Sequence, residues 1–401
     1  MTKLRWRALV SVLTVILSLT ATGLVSYAQG QLAATPGESA AAPERVPVLN
    51  IAPRDLVNNR FLILNMHGML FHDRLADIQE DISYARWMNA GVIRVFATDA
   101  SGMAEWTGGD VAERIIEIAP MLREANIKLI VALVNNHQEV PGEDPSSVGW
   151  MDGYQQLLLP FYRGNWRMAY RQFAGDLTWL VKERGARDVI WAWEVGNEIH
   201  TQQDPPLVLD FVHQAVDFLR GIDDVTRILP GTMGSNHLEP WAEESPVARE
   251  LFCEAPIAAY TLHAYDWRDE YNGGDMPVQY DFKNIVRERC DDGRGLPVIV
   301  EELGTSRVLP GQYGAWEEDK RLQAELRQIR YVLSQPSVAA VGAWSAESPR
   351  SRRIRHDQRR GLTSYGPDAD GSGSCYGATA DNMPGARCQL EQILRNLPAV
   401  P

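Results

Sequence analysis

From about residue 60 onward, short apolar runs alternate with stretches in which apolar residues recur every three or four positions. The runs fall at 61–66 (FLILNM), 92–96 (VIRVF), 128–134 (KLIVALV) and 189–195 (VIWAWEV) in the first half. The second half adds 227–230 (RILP), 258–263 (AAYTLH), 297–302 (PVIVEE) and 339–344 (AAVGAW). Each is short, rich in β-branched or aromatic residues and nearly unbroken in hydrophobicity, which is the pattern of a strand buried on both faces. Between them lie helical stripes. Leu75, Ile78, Ile82 and Ala85 form one, ending before Gly91, and Ile115, Ile118, Ala119, Leu122 and Ala125 form another. Asp204 followed by Pro205-Pro206 reads as a helix start with Asp as the cap. Leu322, Leu326, Ile329 and Leu333 make a further stripe, and a last helix is expected at about 385–397. Eight strands, each followed by a helix, predict an α/β fold of the (β/α)8 TIM-barrel type, with a doubly wound open sheet as the alternative.

The first 60 residues do not share this pattern. Lys3, Arg5 and Arg7 precede an uncharged run from Ala8 to Tyr27, and Ser26-Tyr27-Ala28 supplies a small-x-small end, so residues 1–28 read as a signal peptide. An uncleaved membrane anchor is the alternative, since the run is about long enough to span a bilayer. Residues 29–47 (QGQLAATPGESAAAPERVP) are a linker rich in Ala and Pro, and 48–401 reads as one catalytic domain. Secretion is therefore expected, with no stable membrane association after cleavage.

Composition adds two points. The 401 residues carry a formal net charge of −13, which disfavours nucleic acid and anionic lipid as partners. Four cysteines in an exported chain suggest disulfides, with three possible connectivities. The neighbouring pairs Cys253–Cys290 and Cys375–Cys388 are preferred, and no cysteine or histidine spacing suggests a metal site.

In such a barrel the functional site lies at the C-terminal ends of the strands. Those ends carry Asn135-Asn136-His137 after strand three and Asn197-Glu198 after strand four. His263 and Tyr265 follow on strand six, Glu302 ends strand seven and Trp344 ends strand eight. Trp106, Trp150, Trp241, Trp267 and Trp316 fall on the same side. Indole rings stack on the flat apolar faces of sugars, so the set fits a carbohydrate better than a small anion. Acetal hydrolysis needs one protonated carboxyl for the leaving oxygen and one carboxylate to attack the anomeric carbon. Tips of strands four and seven face each other across a barrel.

The segments WEVGNE (193–198) and VIVEELG (298–304) resemble the paired signatures of glycoside hydrolase clan A, family 5 in particular. The resemblance covers most of residues 60–345 and implies a retaining mechanism with Glu198 as acid/base and Glu302 as nucleophile. It implies that Arg94 holds the nucleophile ionised, that His263 and Tyr265 are the strand-six pair beside it, and that Trp344 is the platform under the sugar. Asn136, His137 and Asn197 complete the expected substrate-binding set. The stretch LVNNH…Y…FY…AWEVGNE looks most like the endo-β-1,4-mannanase branch, although that branch has Trp where His137 stands and Pro where Ile199 stands. The expected substrate is thus a β-linked polysaccharide or oligosaccharide, β-mannan first and β-glucan second, cleaved without a cofactor or metal. Two other readings are a different clan A glycosidase and a carbohydrate-binding barrel without catalysis.

Neighbouring carboxylates compete for these roles. Glu301 adjoins Glu302, and strand alternation turns one away if the other points in. Glu194 lies deep in an apolar strand, where an unpaired charge would cost several kcal/mol, so a paired structural role is expected, with Arg94 as a candidate partner. The arginine-rich run 350–360 reads as a solvated loop, and DADGSGS (368–374) as a flexible turn that lacks the last acidic residue of a calcium loop.

Overall fold

The computed structural model describes residues 61–72, 74–98, 106–135, 161–199, 204–232, 250–253, 257–266, 297–305, 318–344, 375–376 and 386–396. Eight strands follow one another in the chain: β1 (Phe61–Asn65), β2 (Val92–Phe96), β3 (Lys128–Ala132), β4 (Ile190–Glu194), β5 (Arg227–Leu229), β6 (Tyr260–Asp266), β7 (Val298–Thr305) and β8 (Val338–Ala343). They form one sheet in the order β5-β4-β3-β2-β1-β8-β7-β6, with every pairing parallel. Since β1 pairs with both β2 and β8, the sheet has wrapped on itself into a nearly closed (β/α)8 barrel, and the open-sheet alternative is excluded.

The seam between β5 and β6 is held differently. Ala258 N–H donates to Ile228 O at 2.9 Å, and Thr232 N–H donates to Thr261 Oγ1 at 3.0 Å. The Thr261 hydroxyl returns a bond to Thr232 O at 3.1 Å, so side chains continue the work of a strand ladder where β5 has ended.

Six described helices follow the strands: α1 (Leu75–Trp87), α2 (Gly108–Ala125), α3 (Trp166–Glu183), α4 (Pro205–Ile222), α5 (Glu318–Ser334) and α6 (Ala386–Arg395). A capping box starts α2, with Thr107 and Asp110 satisfying each other's backbone N–H groups. Asp204 does cap α4, but its side chain makes no cap bond. The prolines at the next two positions have no N–H to offer, and Leu207 N–H bonds the Asp204 carbonyl instead. Helices expected after β5 and β6 fall largely outside the described residues, as do the arginine-rich run, residues 368–374 and residues 1–47. Among the described residues no helix is long and apolar enough to cross a membrane.

Cys375 and Cys388 are bonded, which fastens the start of α6 to the segment before it. Glu391 on α6 accepts from Tyr84 on α1 and from Cys375 N–H, each at 2.8 Å. Cys253 is also in a disulfide, and Cys290, its expected partner, lies outside the described residues.

Strand alternation sets the barrel interior in layers. The lowest holds Ile63, Val92, Ile130, Ala192, Leu229, Ala259, Ile299 and Ala340, one from each strand or its start. Two residues further along, the same inward register reaches Asn65, Arg94, Ala132, Glu194, Gly231, Thr261, Glu301 and Gly342. An apolar floor therefore supports a polar layer, and the mouth lies above it. The outward-facing residues pack against the helices in the main core.

Candidate active site

Arg94 is the centre of the polar layer and is fully buried. Its Nε and Nη2 donate to the two oxygens of Glu194 at 2.7 and 2.6 Å, a bidentate pair. Nη1 donates to Glu302 Oε1 at 2.5 Å and to Asn65 Oδ1 at 3.1 Å, and Nη2 also donates to Asn197 Oδ1 at 2.7 Å. Five bonds for five N–H groups leave the guanidinium saturated. Burial would weaken its charge, but the Glu194 and Glu302 carboxylates outweigh this and hold it firmly protonated. Arg94 is thus both the partner of Glu194 and a support for Glu302.

Asn65 and Asn197 extend the network sideways. Asn65 Nδ2 donates to Glu301 O at 2.7 Å and to Ala343 O at 3.1 Å, tying β1 to β7 and β8. Asn197 Nδ2 donates to Asn135 Oδ1 at 3.0 Å, and a backbone bridge joins the same two residues beyond the ends of β3 and β4. The polar ends of the Asn197 amide are therefore engaged by protein groups under the mouth.

Above this layer stand Glu198, Glu302 and His263. Glu198 has a left-handed backbone (φ 53°), which a non-glycine residue adopts at some cost and which redirects its side chain just past the end of β4. His263 Nδ1 lies 2.9 Å from Glu198 Oε1 and 3.4 Å from Glu302 Oε2. One ligand-type atom from each of the three residues lies within 4.8 Å of the others. A cation would accept that spacing, but here the imidazole itself supplies positive charge between the carboxylates. Burial alone would push the imidazole down, but the Glu302 charge and the contacts with Glu198 and Glu301 lift it to about 10.

Glu301 departs from the sequence expectation. Alternation predicts that only one of Glu301 and Glu302 faces inward. In the structure Glu301 keeps the inward register of Ile299, yet Glu302 pairs with His263 and bonds Arg94. A β-bulge accounts for this. The register of β7 slips against β8 between Val300 and Leu303, and that of β6 against β7 slips between Leu262 and His263. The extra residue turns the strand, so consecutive carboxylates enter at different depths. The Glu301 carbonyl also crowds β8, where a Cβ on Gly342 would meet it at 1.8 Å.

Trp344 lines the other side of the mouth at 9% exposure. His67, just beyond β1, stacks on its indole at 5.3 Å and 20°, and Phe96 lies 6.0 Å away. His67 was missed in the sequence, although a histidine at a strand tip in NMHGM was the available signal. Tyr265 lies on β6 within the described backbone. Asn136 and His137 lie outside the described residues, as do Trp150, Trp241, Trp267 and Trp316. Trp106, between the end of β2 and the start of α2, packs edge-on against Phe71 at 5.2 Å beneath Arg114.

No family model and no curated protein matches the chain. Solved structures do match. The endo-1,4-β-D-mannanase from Thermotoga petrophila superposes with a TM-score of 0.55 at 16% identity, covering 84% of this chain and 99% of that one. A second structure of an endo-β-1,4-mannanase from the same organism gives 0.52 at 16% identity over 84% and 77% of the two chains. A cellulase gives 0.51 at 13% identity over 84% and 87%. What these proteins share with the chain is the (β/α)8 barrel over most of its length.

Proposed function

We propose that the chain is a retaining β-glycosidase, with Glu302 as nucleophile and Glu198 as acid/base, acting on a β-linked polysaccharide. The observation that carries this reading is the placement of two buried carboxylates, Glu198 just past the end of β4 and Glu302 within β7, with oxygens inside 4.8 Å of each other. Inverting enzymes keep their carboxyl groups about 6.5–9.5 Å apart to admit a water, whereas retaining ones hold them about 5–5.5 Å apart. In the first step the Glu302 carboxylate attacks the anomeric carbon while Glu198 gives its proton to the departing glycosidic oxygen. In the second, Glu198 takes a proton from water, the hydroxyl adds to the anomeric carbon, and the bond to Glu302 breaks. Arg94 keeps Glu302 in place through both steps. Trp344 offers an apolar ring at the mouth, and its indole N–H has no protein partner among the described residues, so a sugar hydroxyl could accept it.

β-Mannan is the first choice of substrate and β-glucan the second, in keeping with the mannanase and cellulase names of the structural neighbours. The test is a panel of β-mannans, β-glucans and aryl β-glycosides, run on wild type and on two variants with and without azide. Glu302→Ala should be nearly inactive on all of them, and azide should restore turnover with a product of inverted configuration. Glu198→Ala should form the intermediate from an activated aryl glycoside and then stall until azide intercepts it with net retention. Exchanged phenotypes would reverse the assignment. Wild-type activity in either variant would remove that residue from the mechanism, and an inactive wild type would favour a carbohydrate-binding barrel.

A further inference from the structure

Glu301 is a carboxylate for which the mechanism above has no use. It is fully buried, and neither of its side-chain oxygens has a hydrogen-bond partner among the described residues. Arg94, the nearest fixed cation, cannot serve it, because all five of its N–H groups are taken. Among the described residues the one donor left to Glu301 is His263, whose Nε2 stands 3.5 Å from Glu301 Oε2 and has no other partner there. That distance is long for a finished hydrogen bond but short for an ion pair. The opposite ring nitrogen, Nδ1, meets Glu198 at 2.9 Å. A single imidazole thus stands between a buried carboxyl below and the proposed acid/base above.

We propose that Glu301 is a positioning residue that holds Nε2–H of His263 and thereby makes Nδ1 the atom that exchanges a proton with Glu198. The inference rests on the reading of Glu198 as acid/base and deepens it. With Nε2 protonated and held from below, Nδ1 either accepts the Glu198 proton or returns it. The proton changes atoms, while the combined charge of Glu198, His263 and Glu301 stays the same. The reaction asks this of Glu198, which must hold a proton for the first step and lack one for the second. Without Glu301, the ring could adopt the other tautomer and present Nδ1–H as a fixed donor.

The charged groups around the ring are consistent with this role. Glu198 faces it from beyond β4, Glu301 and Glu302 from β7, and Glu194 on β4 and Arg94 on β2 act on Glu301 within its own polar layer. Burial, followed by the charge of Glu194, pushes the Glu301 carboxyl up to about 7. The bulge in β7 is the structural device that makes the arrangement possible, since a regular strand could not aim both carboxyls at one imidazole.

The experiment is 15N NMR of the imidazoles in the full chain, with His263 assigned through a His263→Gln variant. In the wild type Nε2 of His263 should be protonated throughout the neutral range. In Glu301→Gln the titration midpoint of His263 should fall by about one unit or more, because a raising charge is gone. Glu301→Asp should recover part of that shift. Thermal stability gives a second discrimination. A carboxylate with only a structural role would lose stability on conversion to Gln, whereas one buried for its charge should leave the melting midpoint unchanged or raise it.

Nε2 found unprotonated in the neutral range, or a midpoint unmoved in Glu301→Gln, overturns the proposal. Should that variant fail to fold, the wild-type spectrum decides by itself. None of these measurements needs turnover, so they stand apart from the glycosidase reading. The expected shifts in a protein that cleaves nothing in the substrate panel would uphold the Glu301–His263 contact and sink the assignment of Glu198 instead. In an active enzyme, Glu301→Gln should also move the pH–rate profile while KM stays nearly constant.

Discussion

Replacing Arg94 by Met removes five buried hydrogen bonds and leaves Glu194 and Glu302 in the barrel without their shared cation. Removing one partner of a buried pair costs about 3–5 kcal/mol, because the charge left behind is neither solvated nor neutralised. Against a typical total of about 5–15 kcal/mol, that loss should be large in urea denaturation. The companion variant Glu194→Gln tests the cause. It removes one of the two carboxylates that Arg94 compensates, so adding it to Arg94→Met should return part of the loss. The two substitutions should be non-additive by about 1–3 kcal/mol. Strict additivity would refute the claim that Arg94 and Glu194 work as a unit. Activity should separate from stability in the double variant, which still lacks the Nη1 bond to Glu302. A nucleophile displaced by about 1 Å can cost about a hundredfold, so turnover should stay low while the fold recovers.

Three further outcomes follow from other parts of the molecule. His263 lies raised, from 6.5 to about 10, so its contribution to stability is complete below 6.5 and is lost as pH rises through 10. Glu301, raised from 4.5 to about 7, adds stability below 4.5 that is lost through 7; the melting midpoint should therefore fall with rising pH, and Glu301→Gln should flatten the acidic part of that fall. Gly342→Ala should drive the Glu301 carbonyl off β8 and abolish the bulge geometry, so circular dichroism melting and activity should fall together, whereas unaltered activity would show that the bulge does not set the site. Non-reducing peptide mapping should find Cys375 joined to Cys388, worth about 2–4 kcal/mol, and intact mass of protein exported from an expressing cell should show cleavage after Ala28.

The barrel was legible because a parallel barrel writes itself into sequence twice. Strands buried on both faces give unbroken apolar runs, and all eight predicted runs coincide with β1–β8 to within a few residues at their ends. Helix α3 was not among the stripes read from the sequence, although Trp166, Tyr170, Ala174, Leu177 and Val181 form a buried one; Gly164, in a non-helical conformation, interrupts the pattern just before it. The seam between β5 and β6 left no such trace. It depends on two threonines, Thr232 and Thr261, whose pairing spans 29 residues and has no local pattern.

Glu194 and Arg94 follow the same logic one level up. A lone charge inside an apolar run is expensive, so VIRVF and VIWAWEV each announce a partner, and each proves to hold half of the same pair. Pairwise reasoning of that kind fails at Glu301 and Glu302, where two carboxylates are adjacent in one strand. Alternation forces a choice between them, and the chain avoids the choice by inserting a bulge, whose only local sign is the doubled glutamate itself. The same break in the strand brings Glu301 to Nε2 of His263 and Glu302 to Nδ1. Alternation is thus interrupted where three carboxyls share one imidazole, and local consistency is given up where the chemistry requires it.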